Sequence, residues 1–467
     1  MTDEAVHISI TIKVEEREEE FAGDIQPRDL EEGIASMAQA IGQEALRISL
    51  QEIDLQLAQQ VPKSWQNVGT EERWLVSSLG ATRYKRRIYL DEEQRRRKPM
   101  DELLGLEKYG RTSSRVKEMG ASLACTGTYR LAADQLSWLI KTPISHSAVQ
   151  RMVWATGNRI ADGEEAVRKR VFEQGEALEA GKITAPVLYG ESDGVWVHLQ
   201  REDRKSTEVR VAILSDGRKQ IGKDRFRLED KVCVTAIGLN SAAWQEQILR
   251  TAHLKYDLSQ TKMLISGGDG NHWVRHSFDR LEVQQEFVLD QFHLQRAAQR
   301  AFHDREKASQ VVKLLRTKGF AEVRDSLQLC IDQAEGKQKK QMKEFYDYVR
   351  NNQDVLLDLE HRNCASPAYL GAIEGNVDKL VVHRMKGRGC SWRLRGLRAM
   401  LALCRHQDAL RQHAYEYLPL TVPTKSIHGV QKLKVEYAET LPKSMPILYG
   451  SDHDKPWVNT LRRIVHG

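Results

Sequence analysis

Two aspartates, far apart along the chain, carry the side chains best suited to bind a cation. Asp193 lies in the β-prone stretch GESDGVWVHL, and Asp269 follows a short apolar run in ISGGDGNHW, 76 residues later. If the two strands are neighbours, their carboxylates converge and repel each other unless a cation lies between them. Hard oxygen ligands of this kind suit Mg²⁺ or Mn²⁺. The pair therefore predicts a divalent-metal site.

A third carboxylate comes late in the chain, in GAIEGNVDKLVVHRMKGRG. Apolar residues recur there at helical spacing and predict a buried stripe, made of Ile373, Val377, Leu380, Val381 and Met385. Glu374 stands at the start of that helix, and Asp378, one turn on, is its rival. Three carboxylates can hold two metal ions, which stabilise the attacking and leaving oxygens when water or a 3′-hydroxyl displaces a phosphodiester.

Each of these acids also has an ordinary structural explanation. Asp269 could cap the helix that follows it, and Glu374 could be a first-turn glutamate favoured by the helix dipole. Asp193 could be a turn residue before Gly194. The glycines around Asp269, at positions 267, 268 and 270, are expected to permit a tight turn and to leave room for a DNA phosphate.

The elements around the acids follow a recognisable order. PVLYGESDGVWVHLQ, EVRVAILSDG and KVCVTAIG read as three antiparallel strands, followed by the helix SAAWQEQILRTAHL, the strand TKMLISGGDG, the helix HWVRHSFDRL and the strand FVLD. The order β-β-β-α-β-α-β is typical of the ribonuclease H-like fold, which carries its acids on the first strand, at the end of the fourth and on a later helix. We expect an α/β protein: a ribonuclease H-like catalytic domain with a helical insertion, preceded by a mostly helical DNA-binding region that contains a β-hairpin.

The length of 467 residues exceeds what one compact core usually holds. The predicted parts are an acidic N-terminal segment and helix at 1–65, a DNA-binding region at 66–160, the catalytic domain at 161–295 and 373–410, a helical insertion at 296–372, and a C-terminal segment at 411–467.

The charge distribution favours a polyanionic partner. The net charge is +6, and the first thirty residues carry nine acids against three bases, so the remainder carries +12. Bases with interleaved tyrosines crowd the predicted hairpin around Gly80. The residues expected to contact DNA phosphates there are Arg83, Lys85, Arg86 and Arg87, although a solvated charged hairpin would have the same composition.

Residues 129–157 predict a helix-turn-helix unit. Pro143 breaks the chain between the helices, and Ser145 is a suitable cap for the second. The early residues of that helix, His146, Ser147 and Gln150, would lie near base edges in a major groove, although any helical bundle contains such pairs. A later basic cluster, made of Arg384, Lys386 and Arg388, is either a DNA-backbone contact or an ordinary charged face.

No apolar run approaches the ~20 residues that a membrane span needs. The N-terminus lacks a basic stretch followed by an apolar one, and the six cysteines show no C-x-x-C spacing. These features predict a cytoplasmic, nucleoid-associated protein with no membrane partner.

Several strings, taken together, resemble bacterial insertion-sequence transposases of the ISLre type, which are distantly related to the Mutator-like DDE transposases. The resemblance extends from about residue 65 to about residue 405. The strings are SLGATRYKRRIYLD, YRLAADQLSWLIKTPISHSAVQRMV, YGESDGVWVHLQ, GGDGNHWVRHSF, VLDQFHLQRA and IEGNVDKLVVHRMKGRGCSWRLRGLRAMLALC.

The resemblance implies a role for each matching residue. Asp193 and Asp269 match the first two catalytic acids, and Glu374 matches the third, so these three would hold two Mg²⁺ or Mn²⁺ ions. Asp290 and His293 match a signature that supports the active site or orients the DNA backbone.

The implied activity is metal-dependent cleavage of double-stranded DNA at insertion-sequence ends and strand transfer to target DNA, by a homo-oligomer that brings two ends together. An alternative is a catalytically inactive or domesticated derivative that binds a DNA sequence without cutting it.

Overall fold

The computed structural model describes residues 27–223, 225–362 and 370–407, with positions 27–30 and 388 described by backbone alone. The acidic N-terminal segment before residue 27 and the predicted C-terminal segment 411–467 lie outside the described residues. The described part of the chain forms two compact units. One contains residues up to 123 together with 128–149, and the other contains 124–127 and the chain from 150 onward.

The first elements along the chain include the basic hairpin. They are α1 (Pro27–Gln60), β1 (Gln66–Ser77), β2 (Gly80–Leu90), β3 (Arg96–Arg97), α2 (Pro99–Leu103), α3 (Ser114–Thr126), α4 (Tyr129–Ile140) and α5 (His146–Gln174). β1 and β2 pair antiparallel and turn at Gly80, whose φ of +99° suits glycine. Leu50, Leu75, Tyr84 and Met100 form the core beneath this hairpin. The predicted helix, hairpin and helix pair are thus all present.

The second unit is built on a five-stranded sheet. Its strands and neighbouring elements are β4 (Val187–His198), β5 (Ser206–Ser215), β6 (Gly217–Gly222), β7 (Arg225–Glu229), β8 (Val232–Ile237), α6 (Ser241–Lys255), β9 (Met263–Gly268), α7 (His272–Arg275) and β10 (Gln284–Leu289). The strand order is β10-β9-β4-β5-β8, with β4, β5 and β8 antiparallel and β9 and β10 parallel to β4. The predicted sequence of elements is found, and it is interrupted by the unpredicted hairpin β6–β7.

Alternation along β4 decides what each face of the sheet covers. On one face, Leu188 packs with Leu264, Trp244 of α6 and Phe278 in the main core of the sheet. On the other face, Tyr189 packs with Ile265 and Leu359. The odd-numbered residues of β4, which include Glu191 and Asp193, therefore lie on the face of the sheet that packs against Leu359.

Helices fill the interval after β10. They are α8 (Gln291–Phe302), α9 (Arg305–Lys318), α10 (Phe320–Gln333) and α11 (Gly336–Asn351), and they enclose a hydrophobic core of their own. The chain returns to the sheet with α12 (Ile373–Val377), continues as a π-helical stretch over Asp378–Lys386, and ends its described part with α13 (Leu394–Arg405).

The five apolar residues predicted for the buried stripe, from Ile373 to Met385, are all buried. Within the ranges the structure describes, no helix combines the length and the apolar character needed to cross a membrane.

Candidate active site

The register of two parallel strands brings the first two predicted acids to the same level of the sheet. Val187 pairs with Met263, and the pairing continues to Glu191 and Gly267 with a constant offset of 76 residues. The pairing ends two residues before Asp193 and Asp269, and the charge of Asp269 acts on the Asp193 carboxyl, so the two acids lie near each other. Neighbouring strands lie about 4.8 Å apart, so the two carboxylates emerge close together.

The surroundings of Asp193 disfavour its charged form. Burial raises the pKa of this carboxyl, and the negative charges of Asp269 and Asp290 raise it further. Two groups lower the pKa of Asp193 without cancelling the rise. One is the N–H of Gly194, which donates a hydrogen bond of 2.7 Å to the carboxylate, and the other is the nearby His293. The site is therefore short of positive charge at Asp193, as expected for a carboxylate that binds a cation.

Asp269 shapes a turn and does not cap a helix. Its carboxylate accepts hydrogen bonds from the backbone N–H (2.9 Å) and the side-chain amide of Asn271. The N-cap position of the short helix α7 belongs to Asn271. The backbone carbonyl of Asp269 accepts a hydrogen bond of 2.9 Å from the hydroxyl of Tyr348, on α11. The helical insertion thus contacts the loop that carries the second acid.

The space beside Gly267 and Gly268 is filled by other residues of the protein and is not open to a phosphate. An added Cβ on Gly267 would lie 2.9 Å from Cδ1 of Leu370, and one on Gly268 would lie 2.2 Å from Cγ1 of Val274. Gly270 has a φ of +81°, so the expected tight turn is present. The expectation that these glycines make space for DNA is wrong at positions 267 and 268, because neighbouring segments of the chain already fill that space.

Asp290 and His293 form a pair beside the two aspartates. Asp290 caps α8 by accepting hydrogen bonds from the N–H groups of Phe292 (2.6 Å) and His293 (3.4 Å), and its own N–H donates to the carbonyl of Gly268 at 2.8 Å. Nδ1 of His293 lies 3.5 Å from a carboxylate oxygen of Asp290.

This pairing shifts both pKa values. Burial tends to raise the pKa of Asp290, but hydrogen bonds from His293 and the helix N–H groups outweigh it, and the net change is downward. The Asp290 hydrogen bond raises the pKa of His293, and the charges of Asp193 and Asp269 raise it further. The neighbouring acids therefore favour the protonated form of His293, whose ring lies beside them.

Glu374 lies in the first turn of α12 and is exposed. Its rival Asp378 is also exposed, at the start of the π-helical stretch. Within the described ranges, no group of three or more histidines, cysteines, aspartates or glutamates is arranged to hold a metal ion. The pair Asp193 and Asp269 is thus brought together, whereas a complete three-carboxylate cage is absent from the described residues.

A buried glutamate, Glu191, connects the sheet to α12. Its side chain is 4% exposed and accepts hydrogen bonds from the backbone N–H groups of Gly371 (2.8 Å), Ala372 (3.0 Å) and Ile373 (3.3 Å). Burial raises its pKa, and the three N–H donors counteract part of that rise. Sequence reasoning missed Glu191. The one available signal was an acid two residues before Asp193 in an apolar strand, hence on the same face.

The basic hairpin presents fewer of its bases to solvent than the sequence suggested. Arg83 is 60% exposed and pairs with Glu72, and Lys85 is exposed. Arg86 is 3% exposed and contacts Asp101 and Glu71, and Arg87 pairs with Asp54 at 2.5 Å. The expectation that Arg86 contacts DNA conflicts with its burial, because a guanidinium enclosed by two carboxylates offers no surface to a phosphate.

The turn before α5 has the geometry expected of a helix-turn-helix connection. Lys141 ends α4 in the left-handed conformation, and the hydroxyl of Ser145 accepts a hydrogen bond of 3.2 Å from the N–H of Ala148. His146 and Ser147 are exposed, and Gln150 is partly buried. The first two side chains are free to contact another molecule.

The late basic cluster is divided between core and surface. Arg384 is 7% exposed, donates a hydrogen bond to the carbonyl of Ala124 at 2.6 Å, and stacks its guanidinium over the ring of Trp392. Lys386 is exposed, and the side chain of Arg388 lies outside the described residues. Arg384 therefore has a structural role within the fold, whereas Lys386 faces solvent.

Comparison with known sequences shows similarity along most of the chain. Residues 24–413 match the sequence profile of the uncharacterised protein family UPF0236. A curated relative, the UPF0236 protein in vanSb 3'region of Streptococcus gallolyticus, is 24% identical over 385 residues, which cover 80% of this chain and 81% of the relative. The profile match includes Asp193, Asp269, Glu374 and the pair Asp290 and His293.

Proposed function

We propose that this chain, which belongs to the UPF0236 family, is a DDE-type DNA transposase. It would cleave a DNA strand at insertion-sequence ends and join the freed 3′ end to target DNA. The observation that carries the proposal is the parallel pairing of β4 and β9, which ends two residues before Asp193 and Asp269, together with the effect of the Asp269 charge on the Asp193 carboxyl. A pair of carboxylates at one level of a sheet, with a third acid on a later helix, is the pattern that the ISLre-type resemblance implies.

The topology of the sheet supports the same proposal. An order of β10-β9-β4-β5-β8, with three antiparallel strands and two parallel ones, is what a ribonuclease H-like catalytic domain would have. The acid-bearing strands are then the central strand and its parallel neighbour, and the four helices α8–α11 form the insertion before the helix of the third acid.

The donor set fits a hard divalent cation such as Mg²⁺ or Mn²⁺. Asp193 and Asp269 supply carboxylate oxygens, and the upward shift of the Asp193 pKa marks a need for positive charge. Mg²⁺ commonly keeps several waters and takes one or two carboxylates together with substrate phosphates. A site with two convergent aspartates therefore suits an ion that arrives with DNA, and Glu374 would be the third protein ligand.

The chain's own residues would divide the work of the reaction. Asp193 and Asp269 hold the cations, and Asp290 fixes the orientation of His293. His293, whose pKa is raised by three nearby carboxylates, would contact a DNA phosphate beside the scissile bond. When bound, two divalent ions would stabilise the charge that develops on the attacking and leaving oxygens. In the first step water attacks the phosphorus at the element's end, and the 3′ oxygen leaves with a proton as a free 3′-hydroxyl. In the second step that hydroxyl loses its proton, attacks a target phosphodiester and displaces the target strand's own 3′ oxygen, which leaves as a hydroxyl.

The partners of such an enzyme are the transposon ends, the target DNA and a second copy of the chain that holds the other end. Arg83 and Lys85 on the hairpin and His146 and Ser147 at the start of α5 supply solvent-facing contacts for double-stranded DNA. A cytoplasmic, nucleoid-associated location follows from this activity.

One observation favours a second candidate function, a catalytically inactive DNA-binding protein. The described residues contain no ready-made group of three metal ligands. A derivative that has lost cleavage would keep the hairpin and the helix pair and bind a DNA sequence without cutting it. The two candidates differ in whether the acids are needed for an effect on DNA.

A strand-nicking assay separates the candidates. Wild type, Asp193→Asn, Asp269→Asn and the control Asp325→Asn are incubated with Mg²⁺ or Mn²⁺ and DNA that bears the element's ends. Asp325 is a suitable control because its side chain is 81% exposed on α10. We expect nicking by wild type and the control, and loss of nicking in the other two variants with unchanged DNA binding. Equal nicking by wild type and Asp269→Asn would remove the transposase proposal.

A further inference from the structure

Glu191 holds the start of α12 against the strand that carries Asp193. Both of its carboxylate oxygens are engaged: Oε2 accepts hydrogen bonds from the N–H groups of Gly371 and Ile373, and Oε1 accepts one from Ala372. The partners lie 180 to 182 residues away in sequence. A single side chain thus joins the centre of the sheet to the beginning of the helix that bears Glu374.

A carboxylate suits this position for two physical reasons. The first N–H groups of a helix have no partner within the helix, and a negative charge at the N-terminus is stabilised by the helix dipole. The N-cap residue of α12 is Ala372, whose side chain accepts no hydrogen bond. Glu191 therefore holds, from the sheet, the first N–H group of α12 at Ile373 and the two N–H groups that directly precede it.

The placement of Glu191 relates two of the proposed catalytic acids. β4 pairs with β5 without a bulge from Tyr189 to His198, so Glu191 and Asp193 project from the same face. The segment before α12 also packs closely on the sheet, because a Cβ on Gly267 would come within 2.9 Å of Leu370. Glu374 follows directly after the last residue that Glu191 holds.

We infer that Glu191 is a positioning residue that fixes the distance between Glu374 and Asp193. This inference rests on the proposed function, since it concerns the third carboxylate of that site. Glu191 is assigned as a positioning residue and not as a metal ligand, because it is 4% exposed and three of its roughly four acceptor sites are taken by the N–H groups. Its effect on metal binding passes through Glu374.

The test measures Mn²⁺ binding by electron paramagnetic resonance, with full-length protein bound to DNA that bears the element's ends. Substitution of a residue that orients a metal ligand typically weakens metal affinity by about 10- to 100-fold. We expect a loss in that range for Glu191→Gln, since the amide keeps one acceptor and turns an N–H₂ group toward backbone donors. Glu191→Asp, which keeps the charge but has a shorter reach, should give an intermediate loss and covers the case in which Glu191→Gln does not fold.

A double-mutant cycle shows whether the effect passes through Glu374. In a Glu374→Gln background, Glu191→Gln should cause no further loss of Mn²⁺ affinity, because the ligand it positions is gone. Losses that add would overturn the inference. Asn240→Ala is the matched control: it removes the cap of α6, whose side chain accepts a hydrogen bond of 2.8 Å from Ala243, and should leave Mn²⁺ affinity unchanged.

Hydrogen exchange provides a readout that needs no metal. Glu191→Gln should speed amide exchange in peptides that cover residues 370–386, and Asn240→Ala should do so only in peptides from α6. If Glu191→Gln has the amide exchange and the Mn²⁺ affinity of wild type, the inference about Glu191 is overturned and the proposed function is not. Equal nicking by wild type and Asp269→Asn would overturn the proposed function, and the inference with it.

Discussion

Substitution of Gly268 by alanine tests whether close packing at the end of β9 sets the position of the second acid. The added Cβ would lie 2.2 Å from Cγ1 of Val274 and 2.8 Å from the carbonyl oxygen of Ser192. Val274 is 1% exposed, so its side chain has little space into which it can rotate. The Ser192 carbonyl belongs to the central strand β4, which is paired on both sides. At least one strand must therefore shift.

The expected loss of stability follows from the overlap of the new Cβ with Val274 and Ser192. Overpacking of a well-packed interior destabilises a protein by about 1–3 kcal/mol, and each kcal/mol lowers the melting temperature of a unit of this size by roughly 2–4 °C. We expect Gly268→Ala to melt about 2–12 °C below wild type. Nicking should fall as well, because Asp269 is the next residue along the chain.

Thermal denaturation tests this prediction when the melting temperature of Gly268→Ala is compared with that of a second glycine substitution at an uncrowded position. Gly163 lies within the helix α5, and a Cβ there would meet no atom within 4 Å. Gly163→Ala should raise stability by about 0.5–1 kcal/mol, since alanine favours a helix interior. If Gly268→Ala melts at or above the wild-type temperature while Gly163→Ala behaves as expected, the argument from close packing is refuted.

Three further perturbations test other parts of the structure. The Glu164 carboxyl is buried, which tends to raise its pKa, but contacts with His406 and Arg405 outweigh burial and hold the pKa at about 2. The ionised Glu164 carboxylate stabilises the folded protein by up to about 3 kcal/mol above pH 4.5, and this stability is lost as the pH falls from 4.5 toward 2. Urea unfolding at several pH values should show this loss in wild type and not in Glu164→Gln. If the free energy of unfolding has the same pH dependence in both proteins, the prediction is contradicted. Tyr348→Phe removes the hydroxyl that binds the Asp269 carbonyl, and it should lower the free energy of unfolding by about 0.5–1.5 kcal/mol. It should also reduce nicking without weakening DNA binding. Unchanged stability and nicking would show that the contact is dispensable. Replacing Arg83 and Lys85 together by glutamine should make the slope of log affinity against log salt shallower by up to about 2, because each lost phosphate contact accounts for about 0.9. An unchanged slope would place the DNA elsewhere.

Local patterns predicted the elements that carry the site. Alternating apolar residues marked β4 and β9, and helical spacing marked the stripe from Ile373 to Met385, which is buried as expected. The sequence separation of Asp193 and Asp269, 76 residues, equals the offset in the pairing of β4 with β9, and the metal site that they would form stays a prediction. These predictions succeeded because backbone geometry ties side-chain direction to sequence period.

Residue type alone failed where long-range packing decides the surroundings of a side chain. Arg83 and Arg86 lie three residues apart in the same basic strand, yet one faces solvent and the other is enclosed by Asp101 and Glu71. Gly267 and Gly268 suggested room for a ligand, but the chain itself occupies it. Strand alternation separates Arg83 from Arg86, whereas the space beside Gly267 and Gly268 is filled by Leu370 and Ser192, which lie far away in sequence.

The amino-acid sequence by itself indicated most of the strands and helices, though not the hairpin β6–β7, and the elements next to which Asp193, Asp269 and Glu374 lie. Through the resemblance it also pointed to Asp290 and His293. Only the tertiary structure revealed the Tyr348 hydroxyl on the Asp269 carbonyl and the Glu191 carboxylate at the start of α12. The physical reason is that periodicity acts over one or two turns of chain, whereas these two hydrogen-bonded pairs join residues 79 and 180 positions apart.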